Sequence, residues 1–153
     1  MKYVYPAIVV VLLLLASAPS LAQNTNQELT MAVAGSFDIT LSPQNEDAAP
    51  AGRMLINKLY SGGMQGTGVG QMISKRTAGG AAVYSAIEEF NGTIAGKQGG
   101  FTLFHTGFMS ATKQTLDITI VEGSGSGELS GISGNLTIKQ ENGQHYYELD
   151  YQL

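Results

Sequence analysis

The chain has 153 residues, 20 of them glycine, and a formal net charge of −4 at pH 7. It contains no cysteine, which excludes thiol nucleophiles, thiolate metal sites and disulfides. An acidic chain without basic clusters also argues against partners such as nucleic acid or an anionic membrane surface.

The N-terminal segment is typical of a secretory signal peptide. Lys2 precedes an apolar run from about Ala7 to Leu15, and Ser20 and Ala22 are small residues at the two positions that signal peptidase reads. The alternative is an uncleaved membrane anchor, but the run ends before the roughly 20 apolar residues that a span needs. We therefore expect cleavage after Ala22, no membrane insertion afterwards, and export to the periplasm or the extracellular space.

After the signal peptide (1–22), a flexible leader is predicted over 23–30 and a single domain over 31–153. Within it apolar and polar residues alternate, as in half-buried strands, and no useful stretch has a helical period. A loop is predicted over 42–52, and Asn142-Gly143 predicts a type I′ hairpin turn. The predicted strands are 30–41, 53–60, 64–74, 82–95, 100–110, 114–122, 126–140 and 144–153.

These elements predict an all-β fold, a closed antiparallel meander barrel of about eight strands. Short connections favour pairing between consecutive strands, and closure removes exposed strand edges. A two-sheet sandwich is the alternative, but only 42–52 and 74–81 are long enough for its crossovers.

Two titratable residues fall on predicted apolar faces. His105 shares a strand face with Phe101 and Leu103, and Glu88 shares one with Tyr84 and Phe90. A buried carboxylate is costly unless it is paired, and its candidate partners are His105, His145, Tyr84, Tyr147 and Tyr151. A Glu–His pair could serve acid–base chemistry, or a polar network could simply fix the strand register.

Other local patterns carry less chemistry. His105 and His145 are the only histidines, and no metal-binding motif is present, so neither a metal nor another cofactor is expected. The serine- and glycine-rich segment 122–134 lacks the helix of a nucleophile elbow and predicts a hairpin or a bulge. Glycines 66, 68 and 70 share one face, which leaves room for a ligand or a large side chain, or relieves crowding at a bend.

Two segments, "YSAIEEFNGTIAGKQGGFTLFHTG" (84–107) and "GSGSGELSGISGNLTIKQENGQHYYELDYQL" (123–153), closely resemble an uncharacterised bacterial family, the domain-of-unknown-function family 3224. This resemblance implies a small eight-stranded barrel of the allene-oxide-cyclase-like type, whose relatives bind a hydrophobic molecule inside the barrel. The chain departs from the family in having no tryptophan and in its signal peptide. The residues that carry the resemblance are Tyr84, Glu88, Gly92, Gly96, Phe101, His105, Gly107, Gly127, Glu128, Gly131, Gly134, His145 and Tyr151.

Three functions remain open from the sequence. The first is binding of a small, mostly apolar molecule in the barrel lumen by Tyr84, Glu88, His105, Tyr147 and Tyr151. The second is a cofactor-independent isomerase or cyclase, with Glu88 as base or electrostatic stabiliser and His105 as acid; acid–base exchange would require a raised Glu88 pKa. The third is a structural or self-associating protein with a packed lumen.

An apolar outer wall is a separate prediction. Val83, Ile87, Phe104 and Phe108 fall on strand faces opposite to the predicted lumen. Exposed apolar patches of this kind mark interaction surfaces. We therefore expect a homo-oligomer whichever function holds.

Overall fold

A computed structural model describes residues 29–44 and 48–153. The predicted signal peptide and most of the leader lie outside the described residues. Across these ranges the chain is built of strands and turns, and no helix is long and apolar enough to cross a membrane. The strands are β1 (Met31–Pro43), β2 (Gly52–Gly62), β3 (Met64–Arg76), β4 (Ala82–Ile94), β5 (Lys97–Met109), β6 (Gln114–Ile120), β7 (Ser126–Gly127), β8 (Ser133–Glu141) and β9 (Gln144–Gln152).

Eight of these strands close into an antiparallel barrel. Each strand from β1 to β5 pairs with the next, β6 pairs with β8, β8 with β9, and β9 returns to β1. The short β7 pairs only with β5 among the described strands, outside this ring. The predicted closed meander is therefore confirmed, and the sandwich alternative is wrong.

The strand predicted over 126–140 is wrong in its first half. Gly127 and Gly131 have φ of 62° and 88°, a left-handed conformation that ends an extended strand. The segment 121–132 instead crosses one end of the barrel, where Leu129 and Ile132 are buried in the apolar core. This end is here called the closed end, because the side chains of the 121–132 segment cover the core there.

Two turns differ in how well the sequence predicts them. The β8–β9 hairpin is confirmed, with positive φ at both Asn142 and Gly143. The loop predicted over 42–52 is shorter, because Ser42 and Pro43 still pair with Leu55 and Met54 of β2. Proline is tolerated there because β1 pairs with β9 only as far as Phe37, so Pro43 has a strand neighbour on one side alone among the described residues.

Alternation along the strands sorts side chains into a lumen and an outer wall. The lumen at the closed end is packed with apolar residues, among them Phe90, Phe101 and Leu149. The opposite end, here called the mouth, is where β3 ends, β4 begins, β5 ends and β6 begins. Between the two ends, the lumen buries a lysine, a glutamate and a histidine, Lys58, Glu88 and His105.

Candidate functional site

The centre of the lumen holds a buried ion pair. Lys58 on β2 donates a hydrogen bond from Nζ to Oε2 of Glu88 on β4 over 2.7 Å, and both side chains are almost fully buried. The Tyr60 hydroxyl donates to Oε1 of Glu88, also over 2.7 Å. Each carboxylate oxygen therefore has a close donor, which is the condition for burying a charge in an apolar interior.

Glycines on the intervening strand make this pairing possible. Lys58 and Glu88 lie on β2 and β4, which are separated by β3, about 10 Å apart at ordinary strand spacing. Between them stands Gly68, where an added Cβ would overlap Oε1 of Glu88 and come within 3.0 Å of the Tyr60 ring. The sequence left open whether glycines 66, 68 and 70 make room for a ligand or a large side chain or relieve crowding at a bend. At Gly68, the glycine makes room for the Glu88 and Tyr60 side chains.

His105 lies beside the ion pair but makes no hydrogen bond to it through Nε2. Its Nε2 lies 3.2 Å from Oε2 of Glu88, which answers whether the two predicted residues meet. The two atoms are within ion-pair distance, but their alignment does not meet hydrogen-bond geometry, so Nε2 is a buried polar atom without a hydrogen-bond partner. The register explains the proximity: Ala86 is the residue opposite His105, two residues before Glu88.

The electrostatics of the cluster favour a permanent carboxylate. Burial alone would raise the pKa of Glu88, but the neighbouring His105 imidazole, the Lys58 ammonium and the Tyr60 hydroxyl together lower it to about 2. Of these three neighbours, Lys58 and Tyr60 donate hydrogen bonds to the carboxylate, whereas His105 lies at ion-pair distance. This lowering is opposite in direction to the raised Glu88 pKa that acid–base exchange would require.

Aromatic rings surround the charges. The Lys58 ammonium lies 4.7 Å from the centroid of the Phe37 ring, within cation–π range. Burial and the charge of Glu88 raise the pKa of Tyr60 well above its usual value, so its hydroxyl remains a donor at neutral pH. Burial and the same carboxylate raise the pKa of Tyr84, which lies nearer the mouth.

The predicted site residues separate into two groups. Tyr84, Glu88 and His105 lie together in the lumen and at its mouth. The Tyr147 hydroxyl accepts the backbone N–H of Met64 over 2.6 Å, and Tyr151 belongs to the apolar core. His145 stacks on Phe37.

Lys58 and Tyr60 were missing from the predicted site. Their signal was present: Ile56, Lys58 and Tyr60 alternate along β2, so a lysine on an inward face called for a buried partner. The sequence alone did not show that the neighbouring glycines would leave β4 within reach.

A cavity of about 290 Å³ opens at the mouth. Tyr84 and Gly107 lie at its inner side, and Met72, Met109 and Leu116 line its apolar wall. A larger cavity of about 510 Å³ lies elsewhere, along the outer wall of β1, β8 and β9. We assign the candidate site to the smaller cavity, because Tyr84 connects it to the buried charges. Within residues 29–44 and 48–153, no three His, Cys, Asp or Glu side chains are grouped to hold a metal ion.

Comparison with known proteins agrees with this architecture. A crystal structure of a protein of unknown function from the DUF3224 family of Shewanella oneidensis MR-1 is 39% identical, with a TM-score of 0.76. The alignment covers 80% of this chain and 96% of that one. No curated protein matches the chain. The family model for proteins of unknown function DUF3224 matches residues 33–151, so the chain belongs to the DUF3224 family.

Proposed function

We propose that this barrel binds one small, mostly apolar molecule at its mouth. The observation that carries the proposal is the cavity of about 290 Å³ at the open end, lined mainly by apolar side chains, with Tyr84 at its inner side. Pockets for small molecules are commonly about 300 to 1,000 Å³, so this cavity suits a ligand at the small end of that range.

The buried cluster places polar groups at the inner side of such a site. Tyr84 is half-buried between the cavity and Glu88, whose charge acts on its hydroxyl. His105 Nε2, which lacks a hydrogen-bond partner, lies beside the same carboxylate. In this proposal the Tyr84 hydroxyl, whose pKa is raised by burial and by the Glu88 charge, orients the polar end of the ligand.

Catalysis is the less supported use of the same residues. A carboxylate with a pKa of about 2 is a weak proton acceptor at neutral pH. An isomerase or cyclase would therefore have to use Glu88 as a fixed electrostatic stabiliser rather than as a base. The resemblance to allene oxide cyclases stays a prediction, as does export, which depends on residues 1–22.

The neutral fluorescent probe N-phenyl-1-naphthylamine tests binding at the mouth. Ser74 lines the cavity, so Ser74→Trp should fill it and abolish the fluorescence gain seen with the wild-type protein. Ser42, exposed and outside that lining, provides the matched control: Ser42→Trp should bind the probe normally. Equal binding by both variants, or no binding by the wild type, would overturn the proposal.

Native mass spectrometry of gently purified protein complements the probe. We expect extra mass on each protomer that disappears on denaturation, and that mass would identify the ligand class. If the wild type carries no adduct and also fails to bind the probe, the lumen is a structural core and the third function is correct.

A further inference from the structure

The outer wall of β3, β4 and β5 carries a cluster of exposed apolar side chains, here called the outer apolar face. Val83 lies opposite Phe108 and Ile87 lies opposite Phe104, with the polar pair Ser85–Thr106 between them. Ile87 at its centre is 57% exposed, a large fraction for an isoleucine. The members of the face, all exposed, are Val69, Ile73, Val83, Ile87, Phe104 and Phe108.

Opposite charges stand at the two ends of this face. Lys75 of β3 lies opposite Val83, and Glu89 of β4 lies opposite Val69. Val83 and Glu89 are six residues apart on β4, so the two charges are separated along the strands by about 20 Å at ordinary strand rise. Ile87 lies between them.

We propose that the outer apolar face binds a second copy of this chain in a twofold dimer. The twofold axis crosses the strands between Ser85 and Ile87 and thereby exchanges the two ends of the face. It brings Lys75 against Glu89 of the partner subunit, so each ion pair occurs twice, as an isologous interface requires. This charge pattern favours a second copy over an unrelated partner.

Barrel closure supports contact through this face. At the residues of this face, β3, β4 and β5 are each paired with a neighbour on both sides, so the face offers no strand edge for pairing with another copy. Two barrels can therefore associate by packing outer walls, and this wall buries exposed aromatic and branched side chains. Val83 and Phe108 of this face, and Lys75 beside it, also line the mouth cavity, whereas Ile87 and Phe104 do not. Ile87 therefore tests the dimer at a position outside the proposed ligand site.

Sedimentation of the chain, expressed in full and purified as the host processes it, tests the dimer. Ile87→Lys places a charge at the centre of the interface and should raise the dimer dissociation constant by about tenfold or more. Tyr146→Lys is the matched control, since Tyr146 is exposed on β9, four strands away in the ring. It should leave the dissociation constant unchanged.

Charge reversal tests the twofold geometry. Lys75→Glu alone and Glu89→Lys alone each place like charges together at both ends and should weaken the dimer severalfold. The combined variant, with both reversals, should restore the wild-type dissociation constant. A combined variant weaker than either single one would overturn the assigned axis.

Other occupants of the face would be visible in the same experiments. A protein that is monomeric at every concentration, or that forms a trimer, overturns the twofold dimer. A monomer that co-sediments with phosphatidylcholine vesicles, and loses this property in Ile87→Lys, would assign the face to a membrane surface and also overturn it.

Discussion

The two ends of the barrel use the same fold for different purposes. At the closed end, Leu129 and Ile132 press onto an apolar core that includes Phe90 and Phe101. Nearer the mouth, the lumen buries Lys58, Glu88 and His105. Apolar packing stabilises a barrel without charges, whereas a buried ion pair is seldom better for stability than apolar side chains of the same volume. The contrast suggests that the closed end stabilises the fold and that the mouth region is shaped for something else.

The largest expected effect comes from breaking the ion pair. Glu88→Gln leaves the Lys58 ammonium buried without its counter-charge and should lower the free energy of unfolding by about 3 to 5 kcal/mol. Urea denaturation measures this. Glu148→Gln, at an exposed position on β9, should cost about 1 kcal/mol or less. Equal losses would mean that Lys58 is not held by Glu88.

Removing both charges sharpens the same comparison. In the double variant Lys58→Met/Glu88→Gln no buried charge remains from the pair, and the glutamine can still accept from Tyr60. Its free energy of unfolding should return to within about 1 kcal/mol of wild type. If this double variant regains its free energy of unfolding but no longer binds the fluorescent probe, the ion pair serves ligand binding rather than stability.

The closed end should respond as an apolar core. Leu129→Ala removes a fully buried side chain and should lower the free energy of unfolding by about 2 to 5 kcal/mol. Leu59→Ala, on the exposed outer wall, should change it by about 0.5 kcal/mol or less. A small effect of Leu129→Ala would show that the 121–132 segment does not seal the barrel.

Acid should lower the stability of the barrel through Glu88. The pKa of Glu88 is about 2 in the folded protein against about 4.5 in the unfolded chain. Stability from this group is therefore present above pH 4.5 and lost as the pH falls towards 2, by about 3 kcal/mol. Denaturation across this range should show the loss in wild type and Leu129→Ala, and a smaller loss in Glu88→Gln.

The smallest of these effects is expected from filling the space that Gly68 leaves beside the Glu88 carboxylate. Gly68→Ala places a Cβ against the Glu88 carboxylate and should cost about 1 to 3 kcal/mol. Gly52→Ala has ordinary space around the added Cβ and serves as the control. Glu88→Gln should not rescue Gly68→Ala, because the side chain stays the same size.

Much of the fold was readable because strand alternation has a local period. The barrel, its approximate strands, the Asn142–Gly143 turn and the exposed positions Val83, Ile87, Phe104 and Phe108 follow from which residues alternate. The 121–132 segment was not readable, since its glycines adopt left-handed conformations that a strand pattern does not reveal. Lys58 was overlooked because its partner lies 30 residues away on a strand that is not its neighbour.

The sequence by itself determined the inward position of Glu88 and His105, because alternation decides which face a side chain occupies. Only the tertiary structure decided that they meet, that Lys58 and Tyr60 join them, and that Glu88 is ionised rather than poised as a base. Those facts depend on strand register and on the gap at Gly68, and a one-residue slip would send each side chain to the other face.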